Sequence, residues 1–297
     1  MVNIPYDTLY YAILVVSLIS MSAIVFILVL FFKHRQDTSN RGELIIYLCI
    51  ATFLSSLSYT IPWRLSKESA ACKIQGNLML IAETAQYICA ALVGYDSYHS
   101  IVKLKGENIR FTWKRRFVYI MIGFGFPSVL AVITNIVDRI GPAKPWCWIQ
   151  AYEDEISCVY QIFLYCIFFG SGVLNIIFAL IVIKNLSNET ASDPVQSKQH
   201  RDVICKMFRY PIVLVITIFP SVLIRAIKRE TIDTSTQKGT DILNSIGMIG
   251  ISSFGAFAVF SYVFSCDIIR MLRNYMKADK KGEEEESEIN MSSFVSM

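Results

Sequence analysis

The chain has 297 residues, of which 54% are hydrophobic and 13% aromatic, and a formal net charge of +4. By length alone it could form about two soluble domains, but its mean hydropathy of +0.47 is too high for a soluble protein. The composition therefore excludes a soluble globular protein and favours a membrane protein.

Seven apolar stretches follow one another along the sequence, each long enough, at about 20 residues, to cross roughly 30 Å of hydrocarbon as a helix. The third stretch is the least apolar, because it contains Asn77, Glu83, Gln86 and Asp96, and we expect the other helices mostly to surround it. The fold class predicted is an all-α membrane protein, a seven-transmembrane helix bundle over residues 10–265. The stretches are predicted at about 10–32, 44–62, 74–102, 117–137, 158–183, 203–226 and 241–265.

The distribution of charge predicts the orientation of this bundle. The segments after the first, third and fifth stretches, together with the C-terminal tail, contain 19 of the 28 lysines and arginines. Positively charged loops remain in the cytoplasm, so we predict a multi-pass plasma membrane protein with an extracellular N-terminus, residues 1–9, and a cytoplasmic C-terminus. Residues 1–9 lack the features of a cleaved signal peptide, so the first helix is predicted to be an uncleaved anchor. The glycosylation sequons at Asn185, Asn188 and Asn290 all fall on the predicted cytoplasmic side, where they would remain unmodified.

Two of the eight cysteines are predicted to lie outside the membrane on the extracellular side. Cys72 precedes the third helix and Cys147 lies in the loop after the fourth. Because that compartment is oxidising, a Cys72–Cys147 disulfide is predicted; the alternatives are two unpaired thiols, or pairing with Cys158. The bond would hold the loop as a roof over the bundle. Trp146 and Trp148 either contact a ligand beneath this roof or anchor the loop at the membrane–water interface.

Several local patterns carry a resemblance to a known family. They are the run from Trp146 to Ile149, the C-x-I-Q-G pattern from Cys72 to Gly76, the sequence SIVK from Ser100 to Lys103, and Arg225 near the end of the sixth stretch. With seven helices, these features resemble the cyclic AMP receptor-like family of G protein-coupled receptors, over most of the membrane region. The resemblance implies a receptor that senses an extracellular small molecule and activates a heterotrimeric G protein.

Two other receptor classes are excluded by motif. The sequence YDSYHS, at 95–100, differs from the Asp-Arg-Tyr signature of rhodopsin-like receptors, and FSYVFSC, at 260–266, differs from their Asn-Pro-x-x-Tyr. A retinal-binding protein needs a lysine in the seventh span for its Schiff base. The stretch 241–265 contains none.

Polar and aromatic residues in the extracellular half of the bundle are the predicted ligand contacts. Arg225 could pair with a phosphate or carboxylate through two parallel hydrogen bonds, or it is a snorkelling arginine at a helix end. Glu83 lies near the bilayer midplane, where it either contacts a ligand such as an amine or is satisfied within the protein. It would repel an anion unless it were protonated or paired, so cyclic AMP or a similar anion is one candidate ligand only. The candidate ligand-binding residues are Lys73, Asn77, Glu83, Trp146, Trp148, Gln161, Arg225 and Asn244.

Basic residues at the cytoplasmic ends of the helices are predicted to contact the G protein that the resemblance implies. Positive-inside bias and attraction to anionic lipid explain most of this charge as well. Pro220, in the sixth span, is a predicted hinge, because proline removes a backbone hydrogen bond. The predicted contact residues are Lys103, Arg115, Arg116, Arg201, Lys206 and Arg270.

The C-terminal region is predicted in two parts. Residues 266–278 read as an amphipathic helix lying on the inner leaflet, and Cys266 at its start is either palmitoylated or a free thiol. Residues 279–297 form an acidic, disordered cytoplasmic tail. Its serines are candidate sites for kinases and hence for arrestin-like regulators.

Two other function classes remain alternatives to a receptor. A seven-helix transporter or channel would need a polar path through to the inner face, where the inner helix halves show only scattered groups such as Asp96 and Asn175. An intramembrane enzyme would need paired aspartates or spaced histidines, so the protein is predicted not to be an enzyme. No cofactor, metal or nucleic acid is predicted as a partner.

Overall fold

A computed structural model describes residues 6–33, 42–61, 69–99, 112–142, 146–149, 155–189, 249–250, 252–253 and 257. All of these residues belong to the first of two compact units of the chain, Met1–Val259. The second unit, Phe260–Met297, lies outside the described residues. The predictions of a surface helix at 266–278 and of a disordered tail therefore remain predictions.

The described part of the chain is almost entirely helical. Between α4 and α5, residues Met121–Gly125 form a π-helical segment, so α4, this segment and α5 make one continuous fourth span, Trp113–Ile136. Residues 249, 250, 252, 253 and 257 are also helical. The helices are α1 (Tyr6–Lys33), α2 (Gly42–Ser58), α3 (Ala70–Tyr98), α4 (Trp113–Ile120), α5 (Phe126–Ile136) and α6 (Glu155–Glu189).

The first five predicted spans are confirmed as helices. Within the described residues, four of them are long and apolar enough to cross a membrane, and α2 is a shorter apolar helix. Residues 203–226, the predicted sixth span, lie outside the described residues, as does Pro220. The helical residues at 249–257 fall in the predicted seventh span.

Helix α3 is the central helix of the described bundle. In its membrane-spanning part 61% of the residues are buried, against 28% in α1 and 33% in the fourth span and in α6. Helices α2 and α6 pack along it. Three of its four polar residues, Glu83, Gln86 and Asp96, are buried, whereas Asn77 is only partly buried. The expectation that the other helices mostly surround it is therefore confirmed for the part of α3 beyond Asn77.

The fourth span departs from a regular α-helix where Pro127 enters it. Proline has no N–H, so it cannot donate the bond that an α-helix would require at this point. The wider π turn accommodates this gap, and the N–H of Phe126 donates to the carbonyl oxygen of Met121. Gly123, inside the π segment, lies against α3, where an added Cβ would come 3.0 Å from the sulfur of Cys89.

A short hairpin follows α5 and lies against the first turns of α3. Its antiparallel strands, β1 (Ile140–Pro142) and β2 (Cys147–Ile149), pair Ile140 with Ile149, Gly141 with Trp148 and Pro142 with Cys147. The sequence predicted a loop here, because three-residue strands are too short to show alternation. The end of the bundle that carries this hairpin is called the hairpin end below.

Gly76 allows the hairpin to lie directly on α3. A Cβ at this position would collide with Cγ2 of Ile140 and lie 3.4 Å from the carbonyl oxygen of Cys147. Because glycine has no side chain, the backbones of helix and hairpin can approach this closely.

Candidate functional site

The disulfide joins the hairpin to the beginning of α3. Cys72 and Cys147 are bonded, with their Cα atoms 5.4 Å apart, and both residues are fully buried. The predicted pairing is confirmed, and Cys158 is not the partner of Cys147. The bond closes a loop between residues 75 positions apart in the sequence, so it restrains the unfolded chain as well as the folded one.

Gln75 makes a second connection at the same place. Its Nε2 donates to the carbonyl oxygens of Ser58 and Ile61, at 3.1 Å each, and its Oε1 accepts from the N–H of Cys147 at 3.1 Å. The side chain is 1% exposed. One amide therefore satisfies three backbone groups, which belong to the last residue of α2, to the segment just after it and to β2. In the sequence, Gln75 appeared only as a member of the C-x-I-Q-G pattern, which gave no sign of this role.

Both tryptophans of the hairpin are buried rather than placed at an interface. Trp146 is 4% exposed and Trp148 is 3% exposed. The ring of Trp146 meets that of Tyr59 edge to face, with centroids 5.1 Å apart, a geometry that aromatic pairs favour. The hairpin therefore packs into the bundle through these rings.

Tyr59 connects the hairpin to the buried carboxyl group of Glu83. Its hydroxyl donates to Oε1 of Glu83 at 2.5 Å, and the Glu83 side chain lies in the core, with the residue 5% exposed. A contact path thus runs from Trp146 through Tyr59 to Glu83. Sequence reasoning proposed the first and last of these residues but not Tyr59, which lies just after α2 and was interpreted as part of a span end.

Aromatic rings of α3 and α6 lie further along the bundle core. The rings of Tyr87 and Phe168 have centroids 4.4 Å apart, and Tyr165 meets Phe168 edge to face at 6.3 Å. Nε2 of Gln161 donates to the hydroxyl of Tyr165 at 3.0 Å. The candidate residue Gln161 is therefore attached to this aromatic group rather than isolated on α6.

Lys73 and Asn77 face the end of α5 instead of the core around Glu83. Lys73 pairs with Asp138 at 3.2 Å across an exposed surface. The amides of Asn77 and Asn135 bond reciprocally, at 3.0 and 2.5 Å. Further along α3, at the same helical spacing, Leu80, Thr84 and Tyr87 are buried.

A charged cluster lies at the opposite end of the bundle, where α3 finishes and α4 begins. Nη2 of Arg115 contacts Oδ1 of Asp96 at 2.7 Å, and its Nε donates to the hydroxyl of Tyr119 at 2.9 Å. That hydroxyl donates to Oδ1 of Asp96 at 3.3 Å. Arg116 pairs with Glu43 at the start of α2. Both predicted G protein contacts of α4 are thus engaged within the chain.

The remaining candidate residues fall outside the described residues. Among the residues that are described, no group of three histidine, cysteine, aspartate or glutamate side chains could hold a metal ion. The candidates outside them are Arg225, Asn244, Lys103, Arg201, Lys206, Arg270 and the hinge residue Pro220.

Apolar helices around a central, more polar helix, with a disulfide-bonded hairpin over one end, are the arrangement of a multi-pass helical membrane protein. The family profile of the 7 transmembrane receptor (Secretin family) matches residues 6–246. The chain therefore belongs to the secretin family of seven-transmembrane receptors. This is a family of G protein-coupled receptors and not of enzymes, and it implies a heterotrimeric G protein and an extracellular ligand as partners.

The crystal structure of squid rhodopsin is similar to this chain, with a TM-score of 0.69 and 15% sequence identity, over 91% of this chain and 85% of that chain. At this identity the likeness shows the fold alone. No curated protein matches the sequence. The predictions of a seven-transmembrane bundle and of a G protein-coupled receptor are thus confirmed, while the narrower resemblance to cyclic AMP receptor-like receptors remains a prediction.

Proposed function

We propose that this receptor binds an extracellular small molecule beneath the hairpin and then activates a heterotrimeric G protein. The observation that carries the proposal is the path from Trp146 through Tyr59 to Glu83. It joins a buried ionisable group to aromatic rings under a covalently held roof. Small-molecule sites combine apolar and aromatic surface with a few placed polar groups in this way. An ionisable residue at membrane depth is itself an indicator of function.

The proposal places the hairpin end and the N-terminus outside the cell. Disulfides persist in the oxidising extracellular compartment, and the Cys72–Cys147 bond lies at the hairpin end. Of the three described arginines, Arg115 and Arg116 lie at the other end, as the positive-inside rule favours for a cytoplasmic face, and Arg139 lies at the hairpin end, directly before β1.

The proposed ligand contacts are Glu83, Trp146, Trp148 and Gln161, with Arg225 and Asn244 from the later spans. Lys73 and Asn77 would join them only if a ligand displaced their partners on the α5 side. An anion such as cyclic AMP would suit Arg225, as the resemblance to cyclic AMP receptor-like receptors implies. A ligand carrying an amine would suit Glu83.

The cytoplasmic part of the proposal concerns the basic residues that would contact the G protein. A kink at Pro220 would let the sixth helix move outward and admit the G protein. Lys103, Arg115, Arg116, Arg201 and Lys206 would surround the opening, and Arg270 is a further proposed G protein contact. The helix at 266–278 would lie on membrane lipid, and kinases and arrestin-like regulators would act on the tail 279–297.

Guanine-nucleotide exchange tests the proposal directly. The full chain in lipid nanodiscs should accelerate GDP release from purified heterotrimers when a panel of cyclic nucleotides, carboxylates and amines is added. A Trp146→Phe variant should require a higher concentration of the active compound. Trp113→Phe makes the same change at a residue that is 77% exposed at the other end of the bundle, and should leave that concentration unchanged. Solute flux through the protein, without any exchange, would instead identify a transporter or channel.

A further inference from the structure

One face of α4 points away from the bundle and consists of apolar side chains with a single lysine. Trp113 is 77% exposed, Phe117 is 58% exposed and Val118 is 48% exposed. Lys114 is exposed as well. Because residues three and four positions apart lie on the same side of a helix, Lys114 lies beside Phe117 and Val118, and Phe117 lies one turn after Trp113. These four residues are called the outer face of α4 below.

Lys114 differs from the two other basic residues of α4 in having no ion-pair partner within the described part of the chain. Arg115 pairs with Asp96 of α3, and Arg116 pairs with Glu43 of α2. Both arginine charges are therefore compensated by carboxylates of neighbouring helices. Among the described residues, no ion pair includes Lys114. The positive charge of the outer face is thus left for a partner outside the protein.

The outer face lies where the fourth span begins, at the boundary between water and hydrocarbon. The span is Trp113–Ile136, so Phe117 and Val118 lie about one turn further into the membrane than Trp113 and Lys114. Tryptophan favours this boundary, because its ring is apolar and its N–H can remain hydrated. A lysine here lays its apolar stem along the helix and places its ammonium group among the lipid headgroups. The outer face therefore contacts both the headgroup and the first acyl carbons of a lipid.

We propose that the outer face of α4 binds an anionic phospholipid, with the headgroup on Lys114 and the acyl chains along Phe117 and Val118. An anionic headgroup attracts an ammonium group near the membrane surface, whereas a zwitterionic headgroup has no net charge. A second copy of the chain fits this face less well, because a symmetric contact would bring the two Lys114 side chains together. The orientation proposed above places the outer face in the cytoplasmic leaflet, which contains the anionic lipids. Lipid binding here is separate from ligand and G protein binding and requires neither.

Quenching of tryptophan fluorescence by brominated lipid tests this site. The full chain is placed in nanodiscs that contain equal amounts of phosphatidylserine and phosphatidylcholine, with bromine on the acyl chains of only one of the two lipids in each preparation. The difference in quenching between wild type and Trp113→Phe isolates the signal of Trp113, because phenylalanine keeps an apolar ring and removes only the reporter. This signal should correspond to about 5-fold more phosphatidylserine than phosphatidylcholine beside Trp113, the preference expected from one lysine near the surface.

Lys114→Gln should reduce this ratio of lipids to about 1, and high salt should reduce it by screening the lysine. Lys184→Gln is the matched control, because it removes an exposed lysine of α6 at the same end of the bundle and should leave the ratio at Trp113 unchanged.

Two results would overturn the lipid site. The first is a wild-type protein without a preference for phosphatidylserine, or a preference that survives Lys114→Gln. The second is equal quenching in wild type and Trp113→Phe, because it would mean that protein rather than lipid covers the outer face. The experiment contains no ligand and no G protein, so its failure would leave the proposed function as it stands.

Discussion

Tyr59 performs two tasks with one side chain. Its ring supports Trp146 of the hairpin, and its hydroxyl donates to the carboxyl group of Glu83 at 2.5 Å. The ring contact depends on shape and burial, whereas the hydroxyl contact depends on a single donor in a region from which water is largely excluded. The two contributions can be separated by removing the oxygen alone.

We expect Tyr59→Phe to reduce stability by about 1–3 kcal/mol, because it removes one donor from a buried acceptor. Thermal denaturation of the purified receptor would measure the loss. Tyr11→Phe makes the same change on α1 at a residue that is 63% exposed, and should have little effect. An equal loss from both variants would show that the Glu83 contact is not the cause.

The paired amides of Asn77 and Asn135 allow a second test on single residues. Asn77→Leu alone leaves the amide of Asn135 without its partner on α3, and Asn135→Leu alone leaves the amide of Asn77 without its partner on α5. The double replacement removes both amides. The double variant should therefore be more stable than the sum of the single losses predicts, by about 0.6–2 kcal/mol. Additive losses in thermal denaturation would mean that the amides do not stabilise one another.

Sequence reasoning identified charged and aromatic residues of the site but not the contacts between them. Glu83 stood out because an ionisable group inside an apolar stretch is costly, and Trp146 because it adjoins a cysteine. Tyr59 gave no such signal, since a tyrosine near the end of a span is ordinary. Its partner Glu83 is 24 positions away in the sequence, so helical periodicity cannot predict the contact between the two residues. Gln75 had a clearer signal, because it lies one helical turn after Cys72.

At the scale of elements, the position of the hairpin depends on how closely its residues approach α3 at Gly76. The backbone of β2 and the side chain of Ile140 occupy the space that a Cβ would need. Neither the strands nor this contact could be predicted from the sequence, because the strands are three residues long and a glycine in a helix has several explanations. The π segment was also missed, although Pro127, inside the fourth apolar stretch, was a visible reason to expect an irregular turn.

Gly76→Ala should displace the hairpin from α3. The added methyl group collides with Ile140, so we expect faster hydrogen exchange in residues 140–149 and a lower denaturation temperature. Gly170→Ala is the matched control, because an added Cβ there meets nothing within 4 Å, and alanine favours a helix by about 1 kcal/mol over glycine. Unchanged exchange in the hairpin of Gly76→Ala would contradict the close packing.

At the scale of the molecule, α3 is tied to its neighbours at both ends. The disulfide and Gln75 hold it at the hairpin end, and the ion pair of Asp96 holds it at the other. The spans of this bundle were predictable because membrane thickness sets their length and lipid sets their composition. Of the contacts that hold the two ends of α3, only the disulfide was predictable, because cysteines have a distinctive chemistry. Most polar contacts between helices join residues that form no pattern in the sequence.

The orientation of the molecule can be tested by glycosylation in cells. A sequon introduced within residues 1–5 should receive a glycan, because the N-terminus is proposed to be extracellular. Asn185, Asn188 and Asn290 should remain unmodified on the cytoplasmic side. A mobility shift that is removed by a glycosidase would report each outcome. If the wild-type chain carries a glycan that is lost when Asn185 or Asn188 is replaced, the orientation is the reverse of the one proposed.

The Cys72–Cys147 bond also determines what a protease can do to the molecule. It converts the segment between these residues, which contains most of α3 and the whole fourth span, into a covalent ring. A single cut anywhere in that ring would leave the polypeptide in one piece on a non-reducing gel. Two fragments would separate only after reductant is added, so a nicked receptor can pass for an intact one unless both conditions are compared.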